Sequence, residues 1–115
     1  MSAPLYLSHP SSLAHATGPG HPERVERIVA VEEELGRRGW LGYERRSAPA
    51  ATREQLIALH SERHVDQVRA LAEGGGGELD PETLVSPGSW EAALHAAGGA
   101  CALAEALLAG DAPTG

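Results

Sequence analysis

The chain has 115 residues, 42% of them hydrophobic, a length that holds one domain at most. Its formal net charge is −7, and 9 basic side chains against 16 acidic ones, with no basic run, disfavour nucleic-acid binding. A single cysteine, Cys101, excludes an intrachain disulfide, and the most apolar stretch, 92–109, is interrupted by His95, Gly98, Gly99 and Glu105 and does not read as a membrane span. Residues 1–10 lack the basic start and long apolar core of a secretion signal, so a soluble protein of the reducing cytoplasm is the expectation.

In chain order, Leu5-Tyr6-Leu7 is a short extended candidate, and Ser, His, Gly and Pro then mark a long loop as far as Pro22. Pro22 suits a first helical turn, where a missing N–H costs nothing, and Val25, Ile28, Val29, Glu32 and Leu35 trace one helix face, apolar apart from the glutamate. Gly36 or Gly39 ends that helix, and Leu41 to Ser47 reads as a short strand. Thr52-Arg53-Glu54-Gln55 has capping-box spacing and opens a short helix through Leu59. Ser61 starts another, with Val65, Val68, Leu71 and Ala72 on one side, before Gly74 to Gly77 form a flexible linker. Ser86-Pro87 predicts the cap and first turn of the longest helix, which runs to about Ala109 and stops at Gly110.

That last helix has a narrow polar stripe, Glu91, His95 and Glu105, so it requires burial on most sides. Gly98 and Gly99 each cost about 1 kcal/mol of helix propensity relative to alanine, which predicts the close approach of another backbone, most simply a sheet. With at most two short strands, four aromatic residues and no phenylalanine, the chain offers a thin core for a layered α/β domain, and the missing sheet is expected beyond Gly115.

Few local patterns carry chemistry. His60-Ser61-Glu62-Arg63-His64 superficially resembles a zinc-protease helix, but its glutamate is one place too late, and Ser61 as a cap would keep the imidazoles off a shared face. His9, His15 and His21 recur every six residues without acidic or cysteine partners at ligand spacing, and His21 is better explained as positioning a helix start. Gly74 to Gly77 lacks the lysine and hydroxyl of a phosphate loop, and Cys101, with no basic neighbour, reads as a packed thiol.

The run His21-Pro22-Glu23-Arg24-Val25-Glu26-Arg27, the stretch Thr52 to Val68 and the loop Leu79-Asp80-Pro81-Glu82-Thr83-Leu84-Val85-Ser86-Pro87-Gly88 together resemble the N-terminal segment of the histone deacetylase, acetylpolyamine amidohydrolase and acetoin-utilisation superfamily. Three positions depart from its usual pattern: Val25 stands for a proline, His64 for a common tyrosine and Glu82 for an aspartate. The resemblance implies a three-layer α/β arginase/deacetylase-like fold in the intact protein, with residues 1–115 as the N-terminal portion of a single domain, mainly helical with one or two short strands. It also implies zinc in the intact enzyme and an acetylated lysine or polyamine substrate, whereas the family's Asp-x-His pair, further Asp, His-His pair and oxyanion tyrosine have no match here. No catalytic or metal residue is therefore assigned, and this chain alone is expected to be inactive and to bind no cofactor.

Two substrate-binding positions carry over from the resemblance. Glu82 matches a rim-loop carboxylate that accepts hydrogen bonds from substrate backbone, against the plainer reading of a solvated loop glutamate. Arg27 matches an arginine lining an inner channel, against that of a surface arginine paired with Glu23 at i,i+4; the resemblance favours the buried role. The reading from another class is a small helical interaction or histidine-based metal-binding protein, folding with a partner or as an oligomer that covers the 92–108 face.

Overall fold

The computed structural model describes residues 2–115. Strand β1 (Leu5–Ser8) pairs in parallel with β2 (Glu44–Ser47), Leu5 opposite Glu44 and Ser8 opposite Ser47. Pro4 and Ser8 direct their carbonyls at β2, accepting from Glu44 and Ala48, while the Leu5 N–H donates to Thr114 O on the other edge at 3.0 Å. The chain after its last helix has thus returned to the free edge of β1.

The connection between the two strands holds a short 3-10 turn (Pro10–Ala14), helix α1 (Val25–Arg37) and a tight turn at Gly39–Gly42. The expected helix start at Pro22 moves to Val25 because the Glu23 backbone is committed elsewhere: its N–H donates to His21 Nδ1, and its carbonyl accepts from the buried Thr17 hydroxyl. The expected strand shortens at its front, since Trp40 and Leu41 adopt φ of 59° and 52° between Gly39 and Gly42, which also lie in the left-handed region. Such a conformation costs a non-glycine residue roughly 1–2 kcal/mol. Packing holds Trp40 there, with its ring edge-on to Tyr6 at 5.3 Å and under the Arg45 guanidinium at 4.4 Å.

Thr52 caps α2 (Arg53–Ile57) with the complete reciprocal box, its Oγ1 accepting from Gln55 N–H while Gln55 Oε1 accepts from Thr52 N–H. Ser61 caps α3 (Glu62–Glu73), whose predicted inner face is the one that packs: Val65 and Ala72 are buried, Val68 and Leu71 half-buried. The glycine run is a defined turn, where a flexible linker was expected. Gly76 donates to Leu71 O, and with φ of +96° it brings its Cα so near Val85 that a Cβ would lie 2.6 Å from that carbonyl oxygen. Gly77 then opens β3 (Gly77–Asp80), which forms an antiparallel hairpin with β4 (Thr83–Val85), a pair of strands that the alternation of the sequence does not announce.

Helix α4 (Ser89–Leu108) begins later than Ser86-Pro87 predicts, because Ser86 and Ser89 close a turn on each other: Ser86 O accepts from Ser89 N–H, and Ser89 Oγ from Ser86 N–H. Its glycines receive a backbone, as their cost implies, although the nearest one is the extended segment leaving β2, with β1 beside it. The Ala51 N–H donates to Leu94 O at 2.9 Å, and His95 Nδ1 donates to Ala48 O at 2.8 Å. A Cβ on Gly98 would collide with Pro49 O and lie 2.5 Å from Ala51 N; one on Gly99 would lie 2.8 Å from Ala48 Cβ. His95, expected in the polar stripe, is instead part-buried at this crossing.

Gly98→Ala is therefore predicted to lower the thermal unfolding midpoint, overpacking of about 1–3 kcal/mol exceeding a propensity gain of about 1 kcal/mol. Gly36→Ala, whose Cβ would meet only Trp40 Nε1 at 3.9 Å, should leave the midpoint unchanged or raise it.

The glutamate on the apolar face of α1 has a partner. Tyr6 donates its hydroxyl to Glu32 Oε1 at 3.2 Å, and burial first, then the Glu32 charge and this bond, push the phenol from 10.0 up to about 12. Because the folded state retains the proton, this contribution is whole below pH 10.0 and disappears as pH rises towards about 12. In a Tyr43→Phe chain, ultraviolet absorbance of tyrosinate should titrate late, and adding Glu32→Gln should move it back towards 10.0.

Candidate substrate-rim site

The β3–β4 hairpin presents its tip, Asp80 to Thr83, beside the loop that leads into α1. Asp80 builds the tip: one carboxylate oxygen accepts from the Glu82 N–H at 2.9 Å and the other from the Thr83 hydroxyl at 3.0 Å. These bonds, the Thr83 one foremost, hold the Asp80 carboxyl below the usual carboxylate range. Glu82 is exposed at the end of this rigid turn, and its carboxylate makes no ion pair or hydrogen bond among the described residues. It is an acceptor group on a fixed backbone.

His21 joins the two loops. Its Nδ1 accepts from the Glu23 N–H at 3.0 Å, which places the ring proton on Nε2, 3.2 Å from the Glu82 carbonyl that accepts it. The residue expected to position the α1 start does so and also grips the hairpin tip, 61 positions away.

Arg27 is exposed in this segment, and among the described residues it has no ion pair with Glu23, whose carboxylate instead lies 4.0 Å from His15 Nε2. Arg27 edges an open cleft of about 470 Å³ between α1 and α4, with His15, Ile28, Val31, Ser89 and Ala96 among its walls. The structure therefore brings Glu82 and α1 together through His21 but not through the Arg27 side chain.

Several residues at this site make contacts that the sequence does not announce. His15 Nδ1 lies 2.6 Å from the buried Ser89 Oγ, and Ser86 Oγ bridges from the Ala16 N–H to Ala14 O, so the loop after β1 is tied to the start of α4. The clue was the surplus of Ser and His in a loop too long to be held by backbone bonds alone. The six-residue spacing of His9, His15 and His21 has no common purpose: His9 stacks on His95 at 3.5 Å, His15 meets Ser89, and His21 meets Glu82. Among the described residues, no group of three His, Cys, Asp or Glu side chains could hold a metal ion. Nor is any helix of these residues long and apolar enough to cross a membrane.

Removing the His21 ring should loosen both loops at once. In His21→Ala, amide hydrogen exchange at Glu23 and across Asp80 to Thr83 should accelerate about five- to tenfold, as expected for losing bonds worth about 1 kcal/mol each, while α3 amides stay protected.

This arrangement of α1, the β3–β4 hairpin and α4 has known counterparts. The model of the histone deacetylase domain matches residues 21–115. A histone deacetylase-like amidohydrolase of Pseudomonas aeruginosa is 33% identical over 107 residues, covering 93% of this chain and 27% of that protein. A probable deacetylase of Archaeoglobus fulgidus is 33% identical over 103 residues, covering 87% of this chain and 28% of its own length. The crystal structure of the HDA15 HD domain superposes with a TM-score of 0.89 at 25% identity, over 96% of this chain and 33% of that one. The chain thus spans between a quarter and a third of the length of the relatives it matches. Matched in sequence along most of its length and in backbone along nearly all of it, the chain belongs to the histone deacetylase domain family, with that family's α/β fold over the part it spans.

Proposed function

We propose that residues 1–115 form the N-terminal portion of a single zinc-dependent amidohydrolase domain that releases acetyl groups from acetyl-lysine or acetylated polyamines, and that they supply its substrate rim. The observation that carries this reading is the exposed Glu82 carboxylate on a turn fixed by Asp80 and gripped by His21. A carboxylate on a backbone so held can accept two N–H donors of an extended substrate with only its side-chain torsions left to order. Arg27, a permanent cation beside the cleft between α1 and α4, would attract the released acetate.

The described residues do not fit a zinc centre, so no hydrolytic step is assigned to them. Their part is to bind and orient; the 115-residue chain by itself should turn over no acetyl-lysine substrate.

The test uses a polypeptide that carries this segment within a whole deacetylase domain. Glu82→Gln should raise KM for an acetyl-lysine peptide about tenfold with little change in kcat, since a neutral amide is a weaker acceptor by about 1–2 kcal/mol and acts on binding alone. An acetylated polyamine, which has no peptide backbone, should be much less affected. A fall in kcat with unchanged KM, or equal effects on both substrates, would remove Glu82 from the rim.

A further inference from the structure

The tip of the α2–α3 corner holds a pair of histidines that the rim site does not use. His60 and His64 are both exposed, and their ring centroids lie 5.3 Å apart with planes at 39°. The sequence reading separated them, because Ser61 caps α3 between them. The cap is real, but the extended Ser61 backbone (φ −66°, ψ 149°) turns the chain so that His60, outside the helix, faces His64 in its first turn.

We propose that these two imidazoles form a binding site for a late first-row divalent transition ion of the nickel and copper class. Three observations support it. The backbones are fixed, His60 N–H donating to Leu56 O at 3.1 Å and His64 N–H to Ser61 Oγ at 3.1 Å, so little chain entropy opposes chelation. The rings are uncommitted: His9, His15, His21 and His95 all have a ring nitrogen in a hydrogen bond, whereas among the described residues His60 and His64 have none. The separation is of the right order, since a metal at about 2.0–2.1 Å from each imidazole holds the two nitrogens within roughly 4 Å of one another, and the ring centroids already lie 5.3 Å apart on exposed side chains. Imidazole favours such ions, with copper strongest in the series. Glu62, at the first position of α3, offsets the positive end of that helix beside the ion, and Arg53 is already engaged by Glu62 and Asp66. The site is independent of the rim and of any catalytic metal.

The probe is Ni²⁺ alone, titrated into the 115-residue chain and followed by calorimetry and by paramagnetic broadening of the histidine ring signals. A single ion per chain is expected, with broadening confined to His60 and His64. His60→Gln and His64→Tyr, both exposed positions, should each weaken binding by about tenfold or more through loss of the chelate. His9→Gln should bind as the parent does, and circular dichroism should show the same helix content throughout. Parent-like affinity in His60→Gln or His64→Tyr, strongest broadening at any other histidine, or no binding would overturn the proposal.

Discussion

The close crossing of the Ala48–Ala51 backbone over Gly98 and Gly99 is the contact on which the remaining architecture depends. Two hydrogen bonds pin it, Ala51 N–H to Leu94 O and His95 Nδ1 to Ala48 O, and the absence of side chains on the helix permits it. Because Ala48 directly follows β2, the crossing also sets how the β1–β2 pair lies against α4. Leu5, the largest fully buried side chain, sits in β1 within this assembly. A helix more than two side chains wide at that point would push the sheet away and take the loop after β1 with it.

Within this segment, which spans between a quarter and a third of its relatives' length, few large apolar side chains are buried. Most of the buried positions are small residues such as Ala48, Ala51, Ala72 and Ala112, and Leu59 and Leu108 remain 88% and 89% exposed. Polar side chains bonded to backbone fix its loops: Thr17 and His21 hold Glu23, Ser86 and Ser89 hold each other, and Asp80 holds the hairpin tip. Such bonds are directional and position loops more exactly than dispersion contacts can.

The histidines illustrate how a residue type takes its role from its surroundings. His21 is a two-ended brace, His95 a donor to a crossing strand, His9 its stacking partner, and His60 and His64 an exposed pair. The same imidazole serves because it carries a donor and an acceptor on one flat ring.

What the sequence determined by itself were the features written in neighbouring residues. The capping box at Thr52–Gln55, the Ser61 cap, the inner face of α3, the need of Gly98 and Gly99 for a close backbone, and the family pattern across the chain all depend on short-range spacing. What only the tertiary structure decided were contacts between residues far apart in the chain. Not every departure was long-range: Pro22 and Ser86 carry good local start signals, yet α1 and α4 begin later because near neighbours compete for the same backbone groups, His21 for the Glu23 N–H and Ser89 for the Ser86 N–H. The glycine turn and the β3–β4 hairpin were hidden because their pairing with Val85 is not written in any alternation of residues. His95 came out part-buried for the same reason: which side of a helix meets solvent is a property of what packs against it, not of the helix.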